Sequence, residues 1–365
     1  MMKRTDYRKL FIELVQVSLG VVDKLTQTPC AEEWQVLYKM AKEQSLVGIC
    51  FAGVQRLVNT DTEKYCGMSE MQYLTWLGMA AKVQQRNEVM NGKTNEALAF
   101  FRSKGFPCYV LKGQGIAKLY GSLAGLRQSG DIDVWLNGGR EKVYKLSMDV
   151  LGRITGANYH HIHFPMWDDP EIEAHIYPSF LCSPLRNHRL HQFANMYLPV
   201  EGCEDTPPMK YNLVYIMLHC YRHVCGHGVG MRQLMDYYFV LRNDFTDDER
   251  KEALRWCKKL GMRRFIGAMM WVQQELFGLE EKYMLCKPDE EEGRFVLNEV
   301  FHTGNMGHSE TRFNWNNHTH LTRFIANQRH GLHIITHYPH EVCWNPFFNI
   351  ALFIWRKYRG LIDYD

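Results

Sequence analysis

The sequence predicts an α+β protein, a small mixed β-sheet core with helical regions before and after it. Three observations carry this reading. Residues 1–104 repeat apolar positions at helical spacing, and no proline falls between Pro29 and Pro107, which leaves room for long helices. At Phe106 the texture changes to short β-rich runs separated by turn residues. From Pro207 onward helical spacing returns. The expected division is an N-terminal helical region 1–104, an α/β core 105–200 and a C-terminal helical region 201–365.

In the first region Trp34, Leu37, Tyr38 and Ala41 mark one helix, and Leu74, Leu77 and Ala81 mark the apolar side of a longer one. Gly105 is placed to end that helix. Pro107–Leu111 reads as a strand and Gly113–Tyr120 as a short helix. Asp131–Leu136 alternates strictly and is a second strand. Glu141–Ile154 fits an amphipathic helix. Tyr159–Phe164 and Glu171–Tyr177 are two further strands, joined by a turn over Pro165–Pro170. Helices are then expected along Asn212–His219, Met231–Arg242, Ala253–Lys259, Phe265–Phe277, Phe295–Phe301 and Phe347–Arg359. Residues 303–345 give no clear period. Trp344, Phe347, Phe348 and Trp355 are expected in the core rather than as a base-stacking platform.

Composition narrows the function classes. At 46% apolar and 23% charged residues over 365 positions, the chain is neither disordered, collagenous nor a small disulfide scaffold. Its net charge of +3 argues against long nucleic acid as a partner. The eleven cysteines are odd in number, scattered and without a CxxC pair, as in a reduced protein. The N-terminus lacks the pattern of a signal peptide. The longest apolar run, Phe347–Trp355, is far short of the ~20 residues a bilayer requires. A soluble, cytoplasmic protein is expected.

The chemistry centres on Gly130-Asp131-Ile132-Asp133-Val134. On a strand Asp131 and Asp133 leave the same face while Ile132 and Val134 enter the core. Two close carboxylates repel, and a divalent cation relieves the repulsion. Lys112-Gly113-Gln114-Gly115 lies between a strand and a helix, where glycine lets backbone N–H groups approach an anion. It is neither a P-loop nor a dinucleotide fingerprint. Glu173 lies on a later strand and shares a face with Glu171 and His175. Three acids converging from two strands suit phosphoryl or nucleotidyl transfer.

This constellation resembles the uncharacterised bacterial nucleotidyltransferase family of the DNA-polymerase-beta-like superfamily. LKGQGIAKLYGSLAGLRQSGDIDVWL is similar to it through Lys112, Gly113, Tyr120, Arg127, Asp131 and Asp133, and EAHIY through Glu173 and His175. LHCYRHVCGHGVGMRQLMDYYFVLR resembles it through His219, His223, Arg232 and Asp236, and EEWQVLYKMAKEQSLVGIC through the N-terminal helices. The resemblance spans roughly residues 30–245. It implies an NTP substrate and a hydroxyl acceptor of unknown identity. It further implies Mg²⁺ or Mn²⁺ held by Asp131 and Asp133, and Glu173 as a third ligand or as an aid to the acceptor hydroxyl. Lys112, Gly113 and Gln114 would lie at the triphosphate. Two departures stand out. The turn reads Gly113-Gln114 where the superfamily usually has Gly-Ser or Gly-Gly, and the gap to Asp131 is longer. An inactive nucleotide-binding or scaffold module of the same fold is the alternative.

Several residues carry two readings. His219, His223 and His227 are four apart on one helix face, as a metal pair or as a packed polar seam. Arg127 would clamp a phosphate or pair with an Asp. Arg232 and Asp236, also four apart, would be structural unless the Arg reaches a phosphate. His161 and His163 share a strand face that points into the cleft or forms a polar edge. Eight of the 17 histidines lie between His302 and His340 without metal-ligand spacing, so that segment is expected to be surface or acceptor-side structure.

Overall fold

The proline-free N-terminal stretch forms four helices: α1 (Tyr7–Leu19), α2 (Ala31–Glu43), α3 (Val47–Thr60) and α4 (Glu70–Ser103). The structure, a computed structural model, describes residues 6–60, 64–198, 204–226, 228–313 and 320–361. Asp6 caps α1 by accepting from the backbone N–H groups of Arg8 and Lys9. Ser69 and Gln72 close a capping box on α4, which runs 34 residues before Gly105 turns the chain at φ 82°. The buried stripe of α4 is Trp76, Ala80, Asn87, Met90, Thr94, Ala97, Leu98 and Phe101. Leu74, Leu77 and Ala81, the stripe expected from spacing, lie outside, because the larger Trp76 turns inward onto Trp34 and Tyr38.

Four strands follow: β1 (Cys108–Val110), β2 (Ile132–Leu136), β3 (His161–His163) and β4 (Ile172–His175), in the order β1-β2-β4-β3. β1 and β2 are antiparallel, β2 and β4 parallel, and β3 and β4 antiparallel. The parallel pair requires a crossover, which includes α6 (Gly139–Leu151). Between β1 and β2 lie α5 (Gln114–Ala117) and a 3₁₀ stretch over Lys118–Leu126 that bends at Gly121, so the short helix expected there is broken.

The C-terminal part adds α7 (Pro184–Tyr197), α8 (Met209–Cys225), α9 (Met231–Leu241), α10 (Asp247–Lys259), α11 (Arg263–Phe277), α12 (Glu290–Thr303), α13 (His320–Ile334) and α14 (Pro339–Tyr358). Helix α7 has no counterpart in the sequence reading. Helix α14 starts eight residues earlier than Phe347, with Pro339 in its first turn and Pro346 inside it. Trp344 and Phe347 are 44% and 66% exposed, not core, because α14 lies on the surface with an apolar outer side. Phe348 lines a cavity, and Trp355 packs partly on the sheet core.

Alternation along β2 decides where everything else goes. Ile132, Val134 and Leu136 join Val110, Ile162, Ile172 and Ala174 in a core closed by α4 and α6. Tyr109 and Trp135 point oppositely and enter a second, larger core shared by helices from both ends of the chain. Asp133, Glu173 and His175 leave the sheet on this second face. Cys50, Cys108 and Cys220 are fully buried, and the ten described cysteines form no disulfide. No helix among the described residues is long and apolar enough to cross a membrane.

Candidate active site

β2 and β4 run parallel in a register that sets Asp133 beside Glu173 and Trp135 beside His175. Neighbouring strands are only ~4.8 Å apart, so two carboxylates meet on one face. Asp131 stands just ahead of β2 and, with Glu173, lines a cavity of about 350 Å³. Asp133 lies deeper, 2% exposed.

Two cations hold these acids together. Lys112 Nζ lies 3.0 Å from Asp133 Oδ1. His175 Nε2 lies 2.9 Å from the same oxygen and 3.2 Å from Glu173 Oε2. Burial works against the charge on His175, but its bonds to Asp133 and Glu173 outweigh burial and raise its pKa to about 9. Burial also opposes the charge on Lys112, yet Asp133, Asp131 and Glu173 raise its pKa. Burial favours a neutral Glu173, but His175 and Lys112 win and hold its pKa below the ordinary value.

The strand β3 adds imidazoles. His161 Nδ1 is 3.2 Å from Glu173 Oε2 and 3.3 Å from His160 Nε2. His163 Nδ1 is 2.5 Å from Glu171 Oε1. Burial lowers the pKa of His161 to about 3 and pushes His160 and His219 down as well. His330, in the C-terminal helices, is lowered to about 4 by burial.

These shifts predict a pH profile for folding. A histidine whose folded pKa is depressed contributes stability above its unfolded value of 6.5 and loses it as the pH falls toward the folded value. His175 does the reverse: its contribution is full below 6.5 and is lost as the pH rises through about 9. Melting of the metal-free protein is therefore expected to be highest near neutrality. It should fall on the acid side already between pH 6.5 and 5, before carboxylates titrate. A melting curve flat down to pH 5 would contradict the buried neutral histidines, and His330→Gln should soften the acid limb.

Helix α8 forms the opposite wall. Tyr215, His219, Arg222 and His223 all reach the cavity, and the His219 and His223 rings are 4.4 Å apart. The two histidines thus lie at the seam between sheet and helices, facing the acids. His227 lies outside the described residues.

The turn before the acids is anchored by polar contacts. Gly113 has φ 58° and ψ −112°, open to glycine and strained for other residues. The buried Gln114 donates to Asn91 Oδ1 (2.7 Å) and accepts from Ser129 Oγ (2.8 Å). Ser129 Oγ shares its one proton between Gln114 Oε1 and Asn87 Oδ1. Arg232 Nη1 donates to the Gln128 carbonyl at 2.9 Å, and burial lowers its pKa. Arg127 is committed elsewhere: its Nε and Nη2 each donate to Asp236 at 2.7 Å, and the Tyr120 hydroxyl donates to the same carboxylate. The Arg–Asp pair is thus the arrangement formed, and neither Arg127 nor Arg232 lines the cavity.

Sequence reasoning missed Arg222 and Glu341. Arg222 is partly buried, 3.7 Å from the Phe180 ring centroid, and donates to Ser179 Oγ. Its three-residue spacing from His219 on one helix face was the available signal. Glu341 accepts from the Cys182 backbone N–H at 2.6 Å, and its Oε2 has no hydrogen-bond partner among the described residues. Burial raises its pKa. No local pattern marks it. Phe180 and Phe348 stack at 4.9 Å on the cavity wall. Among the C-terminal histidines, His333 pairs with Glu299 and His337 with Glu292.

Residues 31–278 match the sequence model of a family described as an uncharacterised nucleotidyltransferase. No curated protein and no solved structure matches the chain.

Proposed function

Because the chain belongs to the uncharacterised nucleotidyltransferase family, we propose that it transfers a nucleoside monophosphate from an NTP to a hydroxyl acceptor and releases pyrophosphate. The observation that carries this is the meeting of Asp133 and Glu173 across β2 and β4, with Asp133 just beneath a cavity lined by Glu173, Asp131, Lys112 and Arg222.

The donor set fits a divalent cation. Carboxylate oxygens of Asp133 and Glu173 lie within 4.8 Å of one another, and carboxylate oxygens are what Mg²⁺ and Mn²⁺ take. Asp131, Asp133 and Glu173 would hold it, and when bound it supplies charge neutralisation at the phosphates. Lys112 and Arg222 supply fixed positive charge on two sides of the same space. Gly113 brings the backbone close to Asp131, whose carbonyl oxygen a Cβ at position 113 would touch at 3.8 Å. In the reaction the acceptor oxygen attacks the α-phosphorus, the bond to the bridging oxygen breaks, and the acceptor proton leaves. Glu173, which His175 and Lys112 keep ionised, would take up that proton.

The acceptor is a small molecule, a sugar or a protein hydroxyl. A net charge of +3 supplies little attraction for long nucleic acid. One observation favours the second reading, a nucleotide-binding module without catalysis: the Gln114 amide is spent on Asn91 and Ser129 rather than turned to a ligand.

The test is calorimetry with Mg²⁺ and a non-hydrolysable NTP, followed by labelling of a cell extract with α-³²P-NTP. Binding and a labelled acceptor are expected, with pyrophosphate released in equal amount. Binding without label favours the module, and label from the γ-phosphate alone favours a kinase. Absence of binding rejects the reading.

A further inference from the structure

The strands β3 and β4 carry a nitrogen-rich set of donors that nucleotidyl transfer does not require. His161 and His163 stand two residues apart on β3, so both side chains leave one face. Their rings are 5.7 Å apart. The antiparallel register places His163 opposite Glu173, and His161 Nδ1 is 3.2 Å from Glu173 Oε2. One ligand atom from each of His161, His163 and Glu173 falls within 4.8 Å of the other two. Ligands of a tetrahedral zinc ion, at their usual bond lengths, stand roughly 3.3 Å apart, so the His161–Glu173 edge already has that length.

Two features prepare His163 for this role. Its Nδ1 is backed by Glu171 at 2.5 Å, which leaves Nε2 as the ligating atom. A carboxylate behind the ring is the usual support of a metal-bound imidazole. Under the ring lies Gly156 at φ 54°, where a Cβ would overlap the imidazole. Glycine therefore makes the seat that fixes the ring. His161 and Glu173 line the cavity, and Glu173 is only partly buried, so coordination positions on that side stay open.

Two imidazoles and one carboxylate suit a transition metal better than Mg²⁺, which selects oxygen ligands and keeps its water. We propose that His161, His163 and Glu173 form a second divalent-cation site of zinc type, sharing Glu173 with the carboxylate site and differing from it in metal preference. Its two imidazoles are donors that the nucleotidyl-transfer reading leaves unused.

The test uses the full chain stripped of metal and dialysed against micromolar Zn²⁺ with millimolar Mg²⁺ present, with elemental analysis of the protein. One zinc per chain is expected, retained against the Mg²⁺ excess. His163→Gln should weaken zinc binding at least ~100-fold and Glu171→Gln ~10-fold, the scale of losing a ligand or its support. Asp131→Asn should leave zinc in place. His163 and Glu171 are half-exposed, so these variants keep the fold, which metal-free melting verifies. Zinc displaced by Mg²⁺, absent at stoichiometry, or bound equally by His163→Gln overturns the proposal. Zinc binding read without nucleotide separates this outcome from failure of nucleotidyl transfer, which the labelling experiment reads.

Discussion

Asp131→Asn is expected to melt within about 0.5 kcal/mol of the parent protein and to transfer nucleotide at least ~10³-fold more slowly, about 4 kcal/mol of barrier. The two halves of that expectation have separate causes. Asp131 precedes β2 at the cavity wall, and neither core includes it. Its charge matters to what enters the cavity. Asp133→Asn is expected to lose activity and also stability. Its carboxylate is buried against Lys112 and His175, and neutralising it takes from both cations the acid they share. Thermal melts and turnover on the same preparations check both. Equal melting of the two variants would contradict the buried role of Asp133, and an active Asp131→Asn would remove the acids from the chemistry.

The second large effect concerns Arg127 and Asp236. Arg127→Met is expected to destabilise the fold by roughly 3–5 kcal/mol, because it strands a buried carboxylate. The pair is bidentate, each residue about 5% exposed at its side chain, with Tyr120 as a third member. Arg127→Met combined with Asp236→Leu should recover most of the loss, since removing both charges removes the desolvation cost as well. Denaturant unfolding of the two singles and the double measures this directly. A role at the phosphates predicts the opposite pattern: little loss of stability, weakened NTP binding and no rescue by the second substitution.

Much of the site was legible because it is local. The period of two puts Ile132 and Val134 into the core and leaves Asp133 outside it, and the structure keeps that division. Glycine at 113 marks a backbone that side chains resist, and its φ of 58° is the reason. Other features were not legible. The helix Pro339–Tyr358 contains Pro346, and a rule that ends helices at proline starts it too late. The C-terminal aromatics read as core because apolar spacing does not say whether a partner covers them. Arg222 and Glu341 face one cavity from residues 119 apart in the chain, a proximity no window of sequence contains.

The sequence by itself determined the α+β class, the strand that carries Asp133, the turn at Lys112 and Gly113, and the face on which Asp133 and Glu173 stand. These follow from bond geometry and side-chain alternation, which act over a few residues. Only the tertiary structure decided the rest. The order β1-β2-β4-β3 sets Asp133 beside Glu173, and His175 between them becomes a buried cation. The folding of α9 against the turn gives Arg127 to Asp236. Charge pairs of this kind are settled by which surfaces are desolvated together, and desolvation is a property of the packed chain.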